Sequence, residues 1–307
     1  MFKTKICSIF VLLTLGASVA RQATFGGRHT IRKLDAIEKY LRAYQTVMKR
    51  QSFTTYFFDA FAGTGDLSHP AGPANIFGGE LDGQAFVEGS ARRALGVVPS
   101  FDRYIFVEQM KGKAAELLQL KSEFSGLSSR ISVVNGDANA EVMNFCARTD
   151  WRRSRAILFL DPFGNQVSFA TIESVARCNI DLWYLFPAGI GVHRQISSDG
   201  AIVASSEQSL DRLYGTAEWR TVLIGQKTVP TLFGDVDLTE KQSSADEATR
   251  FMIERMKTIF DGRVLDSWLP LGRSGAHWYS LIFACGNPNK RAWEIASRIA
   301  TAVMTRK

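Results

Sequence analysis

The sequence has few cysteines and no paired-cysteine motif. Cys7, Cys146, Cys178 and Cys285 are scattered along 307 residues, with no histidine at metal-ligand spacing. A disulfide framework needs regularly spaced cysteines, and a structural zinc site needs CxxC-type pairs. We therefore predict reduced, mostly structural thiols and no metal site.

Long apolar runs are also missing, apart from one short run near the amino terminus. Residues 1–20 combine Lys3 and Lys5 with an apolar run at 6–15 and a small-residue end, which is the pattern of a secretory signal peptide. The run is too short for a confident membrane span. Because the cysteine usage gives no support for export, we predict a cytoplasmic location and no membrane association. We treat 1–29 as a signal-like segment and 30–307 as one domain.

Acidic residues are too few to balance the basic ones. The net charge is +7 and the pI about 9.3, which favours a polyanionic partner such as nucleic acid. Basic residues that merely keep the surface soluble would give the same balance. Between 21 and 50, eight basic residues stand against two acids, which makes this segment a candidate phosphate-facing surface. The side chains predicted to contact nucleic acid are Arg32, Lys33, Arg152, Arg153 and Arg194.

Strand-like and helix-like patterns alternate along the chain. The strand-like runs lie at 54–61, 103–107, 131–134, 156–160, 180–186 and 277–284, and the helical stretches at 30–50, 109–124, 138–148 and 169–177. This βαβ alternation predicts an α/β fold with a doubly wound, mostly parallel, Rossmann-like sheet. Two insertions interrupt it. One is a Gly/Pro-rich loop at 66–88. The other is a partly helical segment at 190–262, before the last strands, and we expect it to contact a substrate or partner.

The common phosphate-binding motifs are absent. The stretch "YFFDAFAGTGDL" at 56–67 places Gly63 and Gly65 directly after an apolar strand, where a backbone without side chains lets a ligand approach closely. It does not continue as GxGxxG, and no GK[ST] follows it. An ordinary dinucleotide site fits poorly, and a P-loop is excluded.

Each of the first four predicted strands ends in an acid. The acids are Asp59, Glu108, Asp137 and Asp161. Because the carboxyl ends of parallel strands meet at one edge of the sheet, we expect these carboxylates to lie together beside the glycine turn. There Glu108 would accept hydrogen bonds from ribose hydroxyls and Asp137 would hold the amino group of an adenosyl ligand. Each acid taken singly could equally be a helix cap.

These residues resemble a class I S-adenosyl-L-methionine-dependent methyltransferase, and more closely the three-Cys-motif partner (TcmP) family. The stretches that carry the resemblance are "KLDAIEKYLRAY" (33–44), "DAFAGTG" (59–65), "GSARRAL" (89–95), "FVEQ" (106–109), "LFLDPFG" (158–164), "DLWYLFP" (181–187) and "HWYSLIFA" (277–284). The resemblance implies a seven-stranded sheet, bound S-adenosyl-L-methionine and a separate three-cysteine-motif protein as partner. The predicted cofactor-binding residues are Asp59, Phe61, Gly63, Gly65, Glu108 and Asp137.

The stretch "LDPFG" bears on the substrate. It resembles the [DN]-P-P-[FYW] box of enzymes that methylate amino groups in nucleic acids, so Asp161, Pro162 and Phe163 are the predicted catalytic residues. Phe163 stands where the box has its second proline, and Gly164 stands where it has the aromatic residue. A turn shaped by Pro162 and Gly164 is the simpler explanation of the same letters. Methylation of a protein or small molecule stays open, as does a non-catalytic protein that binds the three-cysteine-motif partner.

Overall fold

Seven of the nine strands in the described part of the chain form one sheet. The computed structural model describes residues 28–64, 89–231, 234–242, 244–272 and 276–305. The strands are β1 (Thr54–Asp59), β2 (Arg103–Glu108), β3 (Ile131–Asn135), β4 (Ser154–Leu160), β5 (Ile180–Phe186), β6 (Ile224–Thr231), β7 (Gly234–Lys241), β8 (Leu269–Leu271) and β9 (Tyr279–Cys285).

The order of the sheet is β3-β2-β1-β4-β5-β9-β8, and among the described strands β6 pairs only with β7. Strands β1 to β5 are parallel to one another, whereas β9 is antiparallel to both β5 and β8. The predicted doubly wound, mostly parallel sheet is therefore confirmed. Its order reverses between β1 and β4, which is the point where open α/β sheets bind ligands.

Helices cover both faces of the sheet. They are α1 (Arg28–Met48), α2 (Ser90–Leu95), α3 (Lys111–Leu117), α4 (Leu120–Glu123), α5 (Ala138–Arg148), α6 (Phe169–Ala176), α7 (Ala204–Tyr214), α8 (Trp219–Leu223), α9 (Ala245–Ile259) and α10 (Lys290–Thr305). Phe57 and Trp183 pack on the face covered by α1, α2 and α10, while Phe58 and Tyr184 pack on the face covered by α5, α6 and α9. Because successive strand residues point to opposite faces and both faces are covered, β5 is apolar at every position except Asp181.

Helix α1 is the longest, and it carries the apolar stripe predicted at 30–50. Leu34, Ile37 and Leu41 are buried at a spacing of three and four residues, and the fully buried Tyr40 donates a hydrogen bond of 2.7 Å to Asp181 on β5. The helix is thereby fixed against the sheet, with its first turns close to the carboxyl end of β4.

The sequence patterns miss several elements. The stretch predicted as one helix at 109–124 is divided between α3 and α4, because the N–H groups of Gln119 and Lys121 donate to carbonyls three residues back instead of four. The insertion at 190–262 is partly helical, as predicted, with α7, α8 and α9, but it also contains the β6–β7 hairpin. Strand β6 shows no apolar alternation, and in β7 only Val236 and Leu238 alternate with polar residues, which is a short signal within a polar segment.

Several predictions fall on residues outside the described ranges. They concern the signal-like segment at 1–20, Gly65 and the insertion at 66–88. Among the described helices, none combines the length and the apolar character that crossing a bilayer requires. The cytoplasmic location stays a prediction of the sequence.

Candidate functional site

Two neighbouring cavities open at the carboxyl edge of the sheet. The α1 cavity has a volume of about 240 Å³ and lies between the start of α1, the turn after β1 and the end of β4. The β2 cavity has a volume of about 320 Å³ and lies between the ends of β2 and β3. Phe61 and Phe163 line both cavities. The two cavities are therefore adjacent and share two aromatic walls, and together we call them the two-part site.

Lys33 and Asp161 form an ion pair in the wall of the α1 cavity. The ammonium group of Lys33 donates a hydrogen bond to Asp161 Oδ2, and the two side chains are only 12% and 22% exposed. Lys33 Nζ also lies 5.9 Å from the centre of the Phe159 ring. The sequence predicted Lys33 as a nucleic-acid contact and Asp161 as catalytic, and the fold brings them together because α1 crosses the end of β4.

Asp59 lies beneath the cavities and lines neither of them. It is fully buried, and its carboxylate accepts hydrogen bonds from Ser90 Oγ at 2.5 Å and from the Phe61 N–H at 3.1 Å. Burial raises the pKa of Asp59 from 3.8 to about 7; the hydrogen bonds and Lys33 oppose this rise, and Asp161 adds to it. Asp59 was predicted to bind the cofactor directly. In the structure it holds the turn after β1 and joins it to α2.

The turn after β1 gives the α1 cavity part of its backbone wall. The side chain of Asp59 closes a local turn by accepting from the residue two positions later. Gly63 lines the cavity with φ +63, and a Cβ atom placed there would meet no atom of the described residues within 4 Å. The left-handed φ favours glycine, and the open space beside it is room that a ligand can fill.

Glu108 and Asp137 face the β2 cavity together, as the sequence predicted. Glu108 accepts a hydrogen bond of 2.7 Å from the Met110 N–H, and Asp137 caps α5 by accepting 2.9 Å from the Ala140 N–H. The helix-cap explanation therefore holds for Asp137. The second oxygen of each of the two carboxylates accepts no hydrogen bond from the described residues, so both acids keep an acceptor for a ligand.

Phe163 is the most exposed of the predicted catalytic residues. Its side chain is 76% exposed, whereas Pro162 is buried. The Phe163 N–H donates to Gln166 Oε1 at 2.8 Å, and Gly164 follows with φ +74, so the turn explanation also holds. A large aromatic ring left in solvent at the junction of two cavities is not required by the turn, and it offers a free face for stacking.

The predicted basic residues divide between two edges of the sheet. Arg32 is exposed on α1, and the exposed Arg194 lies near the α1 cavity, since its charge lowers the pKa of Tyr279. Arg152 and Arg153 instead precede β4, where the Arg153 carbonyl accepts from the Thr54 N–H. Seven residues of β4 separate them from Asp161, which is roughly 20 Å of strand. They do not share a surface with the cavities.

Tyr279 is a cavity residue that the sequence reasoning missed. It is the first residue of β9 and lines the α1 cavity beside Asp161. Burial raises its pKa to about 12; the charge of Asp161 adds to the rise and that of Arg194 opposes it. The stretch "HWYSLIFA" signals an apolar strand, but nothing local shows that its first residue faces the end of β4.

A chain of hydrogen bonds next to this strand has the composition of a catalytic triad. Asp246 Oδ1 lies 2.8 Å from His277 Nδ1, and His277 Nε2 lies 2.8 Å from Ser280 Oγ, which is 2.6 Å from Thr249 Oγ1. Ser280 is fully buried and lines neither cavity. Because a nucleophile must reach its substrate, this chain ties α9 to β9 and does not form a hydrolytic site. No cluster of three or more potential metal ligands occurs among the described residues.

Comparisons with known proteins find solved structures that resemble this fold at low sequence identity. No family model matches the chain, and no curated protein is significantly similar to it. The similar solved structures include protein LPL1258 from Legionella pneumophila, with 13% identity over 85% of this chain and 97% of that one and a TM-score of 0.42.

Two further structures are named as methyltransferases. The putative methyltransferase YhhF from Escherichia coli has 12% identity over 67% of this chain and 87% of its own, with a TM-score of 0.31. The O-methyltransferase TomG from Streptomyces achromogenes, solved with SAM, has 12% identity over 70% and 88%, also with a TM-score of 0.31. These overlaps are too low to carry an argument about function. The fold assignment rests on the strand order and on the direction of each strand.

Proposed function

We propose that the protein is an S-adenosyl-L-methionine-dependent methyltransferase of class I that acts on an amino group of a nucleic-acid base. The observation that carries the proposal is the two-part site at the carboxyl edge of the sheet, with Asp161 in one part, Glu108 and Asp137 in the other, and the exposed ring of Phe163 between them.

The β2 cavity suits the adenosyl part of the cofactor. The open oxygens of Glu108 would accept hydrogen bonds from the ribose hydroxyls, and Asp137 would accept one from the adenine amino group. The backbone at Gly63 would face the methionine part, since the space beside this residue is open. When bound, S-adenosylmethionine supplies a methyl group on a sulfonium that is already reactive. The residues of this chain then have to place the acceptor.

The α1 cavity suits the acceptor. Asp161 would accept a hydrogen bond from the target amine and stabilise the positive charge that develops on nitrogen. Phe163 would stack on the base, which must leave a duplex or belong to a single strand in order to enter. Holding the amine in line with the methyl group is worth on the order of 7–11 kcal/mol of the barrier. The net charge of +7 and the exposed Arg32 and Arg194 near this edge favour a polyanionic substrate.

The sequence resemblance adds a partner to this proposal, namely a separate three-cysteine-motif protein. A non-catalytic role in binding that protein is the competing function. It rests on the departure of "DPFG" from the amino-methylating box, and it requires neither a bound cofactor nor a free Asp161.

Calorimetric titration with S-adenosylmethionine tests the cofactor site. We expect the wild-type protein to bind, and Glu108→Gln to weaken binding about 10- to 100-fold, because hydrogen bonds to a charged acceptor are lost. Glu173→Gln is the matched control, since Glu173 is exposed on α6 and lines neither cavity. Equal binding by both variants would remove the site assignment.

Transfer of labelled methyl groups to single-stranded RNA and DNA tests the reaction. We expect transfer by the wild-type protein and none by Asp161→Ala, with cofactor binding retained by both. Cofactor binding without transfer to either nucleic acid would favour the non-catalytic function. The next experiment would then measure binding of the three-cysteine-motif protein.

A further inference from the structure

The ion pair in the α1 cavity keeps hydrogen-bonding groups that its own contact does not use. Lys33 and Asp161 are only 12% and 22% exposed, and the wall around them includes Leu34, Leu185 and Leu271. Removing two charges from water is unfavourable, and an apolar pair of similar size often stabilises a fold as well or better. A pair kept at the wall of an open cavity therefore points to a ligand.

The pair offers one acceptor and one donor side by side. Asp161 can only accept while it is ionised, and Lys33 can only donate, with three N–H groups on its ammonium. Lys33 can therefore keep one hydrogen bond to Asp161 and direct another into the cavity. The complement of this arrangement is a ligand edge on which a donor stands next to an acceptor.

On the edge used in base pairing, the amino groups of adenine and cytosine present this arrangement. The exocyclic amine donates, and the ring nitrogen bonded to the same carbon, N1 of adenine or N3 of cytosine, accepts. On the pairing edge of guanine, the amine stands beside N1–H, which is a second donor. That donor would face the ammonium of Lys33 and leave it without an acceptor, a mismatch that enzymes use to reject substrates.

We propose that Lys33 is a specificity-determining residue, which donates a hydrogen bond to the ring nitrogen beside the target amine while Asp161 accepts from the amine itself. The inference rests on the proposed function and narrows it. The ring nitrogen is the one on the pairing edge, so the acceptor is an adenine or a cytosine, and guanine is disfavoured because its pairing edge places N1–H beside the amine. A merely structural ion pair between α1 and β4 would affect stability without affecting the choice of base.

Binding of modified oligonucleotides tests this role. The probes are single-stranded ten-residue RNA and DNA oligomers of uridine or thymidine with one central adenine, 1-deazaadenine, 7-deazaadenine, cytosine or guanine. Affinity is measured by fluorescence anisotropy with S-adenosylhomocysteine present, and methyl transfer is measured on the same probes. The 1-deaza base keeps the amine and loses N1, whereas the 7-deaza base keeps both.

We expect the wild-type protein to bind adenine and 7-deazaadenine equally and 1-deazaadenine about 10- to 100-fold more weakly. Lys33→Met should bind adenine as weakly as the wild type binds 1-deazaadenine, and should not distinguish the two bases. Lys33→Arg keeps a donor and should retain part of the difference. Lys39→Met, a change at an exposed position of the same helix, should leave the difference unchanged.

The proposal would be overturned by equal affinity of the wild type for adenine and 1-deazaadenine where adenine is the tighter-bound base, or by equal affinity of the wild type and Lys33→Met for cytosine where cytosine is. Discrimination that persists in Lys33→Met, or tightest binding of guanine, would also overturn it. The comparison of bases in the wild type holds even if Lys33→Met does not fold. Discrimination between the bases without methyl transfer would support the role of Lys33 and refute the proposed reaction. Methyl transfer without discrimination would support the proposed reaction and refute the role of Lys33. Failure to bind every oligomer would overturn both. The adenine and cytosine probes show which of the two bases is the target.

Discussion

Replacing the buried Asp59 by asparagine should change how the stability of the protein depends on pH. Asp59 is fully buried, and burial raises its pKa from 3.8 to about 7. An asparagine has the same shape and cannot titrate. Its side-chain oxygen can still accept from the Phe61 N–H, and the Ser90 hydroxyl can rotate to accept from its amide group.

The direction in which stability changes with pH follows from the raised pKa of Asp59. Between about pH 4 and pH 7 the folded protein holds a proton on Asp59 that the unfolded chain has lost, so its stability falls as the pH rises through this window. The full difference corresponds to about 4 kcal/mol, of which about 2.5 kcal/mol falls between pH 5 and pH 8. Asp181 also has a raised pKa, of about 6, but it is present in both proteins and cancels in the comparison.

Urea denaturation followed by circular dichroism at several values from pH 5 to pH 8 measures this difference. We expect Asp59→Asn to gain stability relative to the wild type as the pH rises, by about 2.5 kcal/mol across that range. A difference in stability that stays constant with pH would refute the reasoning, because it would mean that Asp59 is ionised in the folded protein throughout. A difference that moves in the opposite direction would mean that the partners of Asp59 outweigh its burial.

Two further predictions concern residues with opposite exposure. Phe163→Ala should change the free energy of unfolding by less than about 0.5 kcal/mol, because the ring is 76% exposed. It should nevertheless weaken binding of single-stranded oligonucleotides about 10- to 100-fold through loss of stacking, while Phe163→Trp retains binding; equal binding by Phe163→Ala would contradict a stacking role. Ser280→Ala should lower the free energy of unfolding by about 1–3 kcal/mol in urea titrations, because His277 and Thr249 lose their shared partner. A fluorophosphonate probe should not label the buried Ser280 of the wild type, and labelling would show that the chain of hydrogen bonds opens.

The strongest sequence signals were those of the sheet. Strands β4 and β5 contain long apolar runs because helices cover both of their faces, and such runs can be recognised without any tertiary information. The hairpin β6–β7 and the short β8 lack this signal, because neither is a central strand covered by helices on both faces.

The site was predictable where it depends on strand ends. Glu108, Asp137 and Asp161 each follow a parallel strand, and parallel strands deliver their carboxyl ends to one edge, so local sequence and topology are sufficient. This rule does not place the predicted basic residues. Arg152 and Arg153 are close to Asp161 in sequence, but they lie at the other end of β4.

The sequence by itself determined the order of elements, the covered faces of the sheet and the edge at which its acids gather, because each depends on local periodicity and on the direction of the strands. Only the tertiary structure decided which side chains meet there. It buried Asp59 beneath the turn, placed Lys33 against Asp161 across 128 positions of sequence, and brought Tyr279 to the same wall. Such contacts depend on how α1 and β9 pack against the sheet, and no local pattern records that packing.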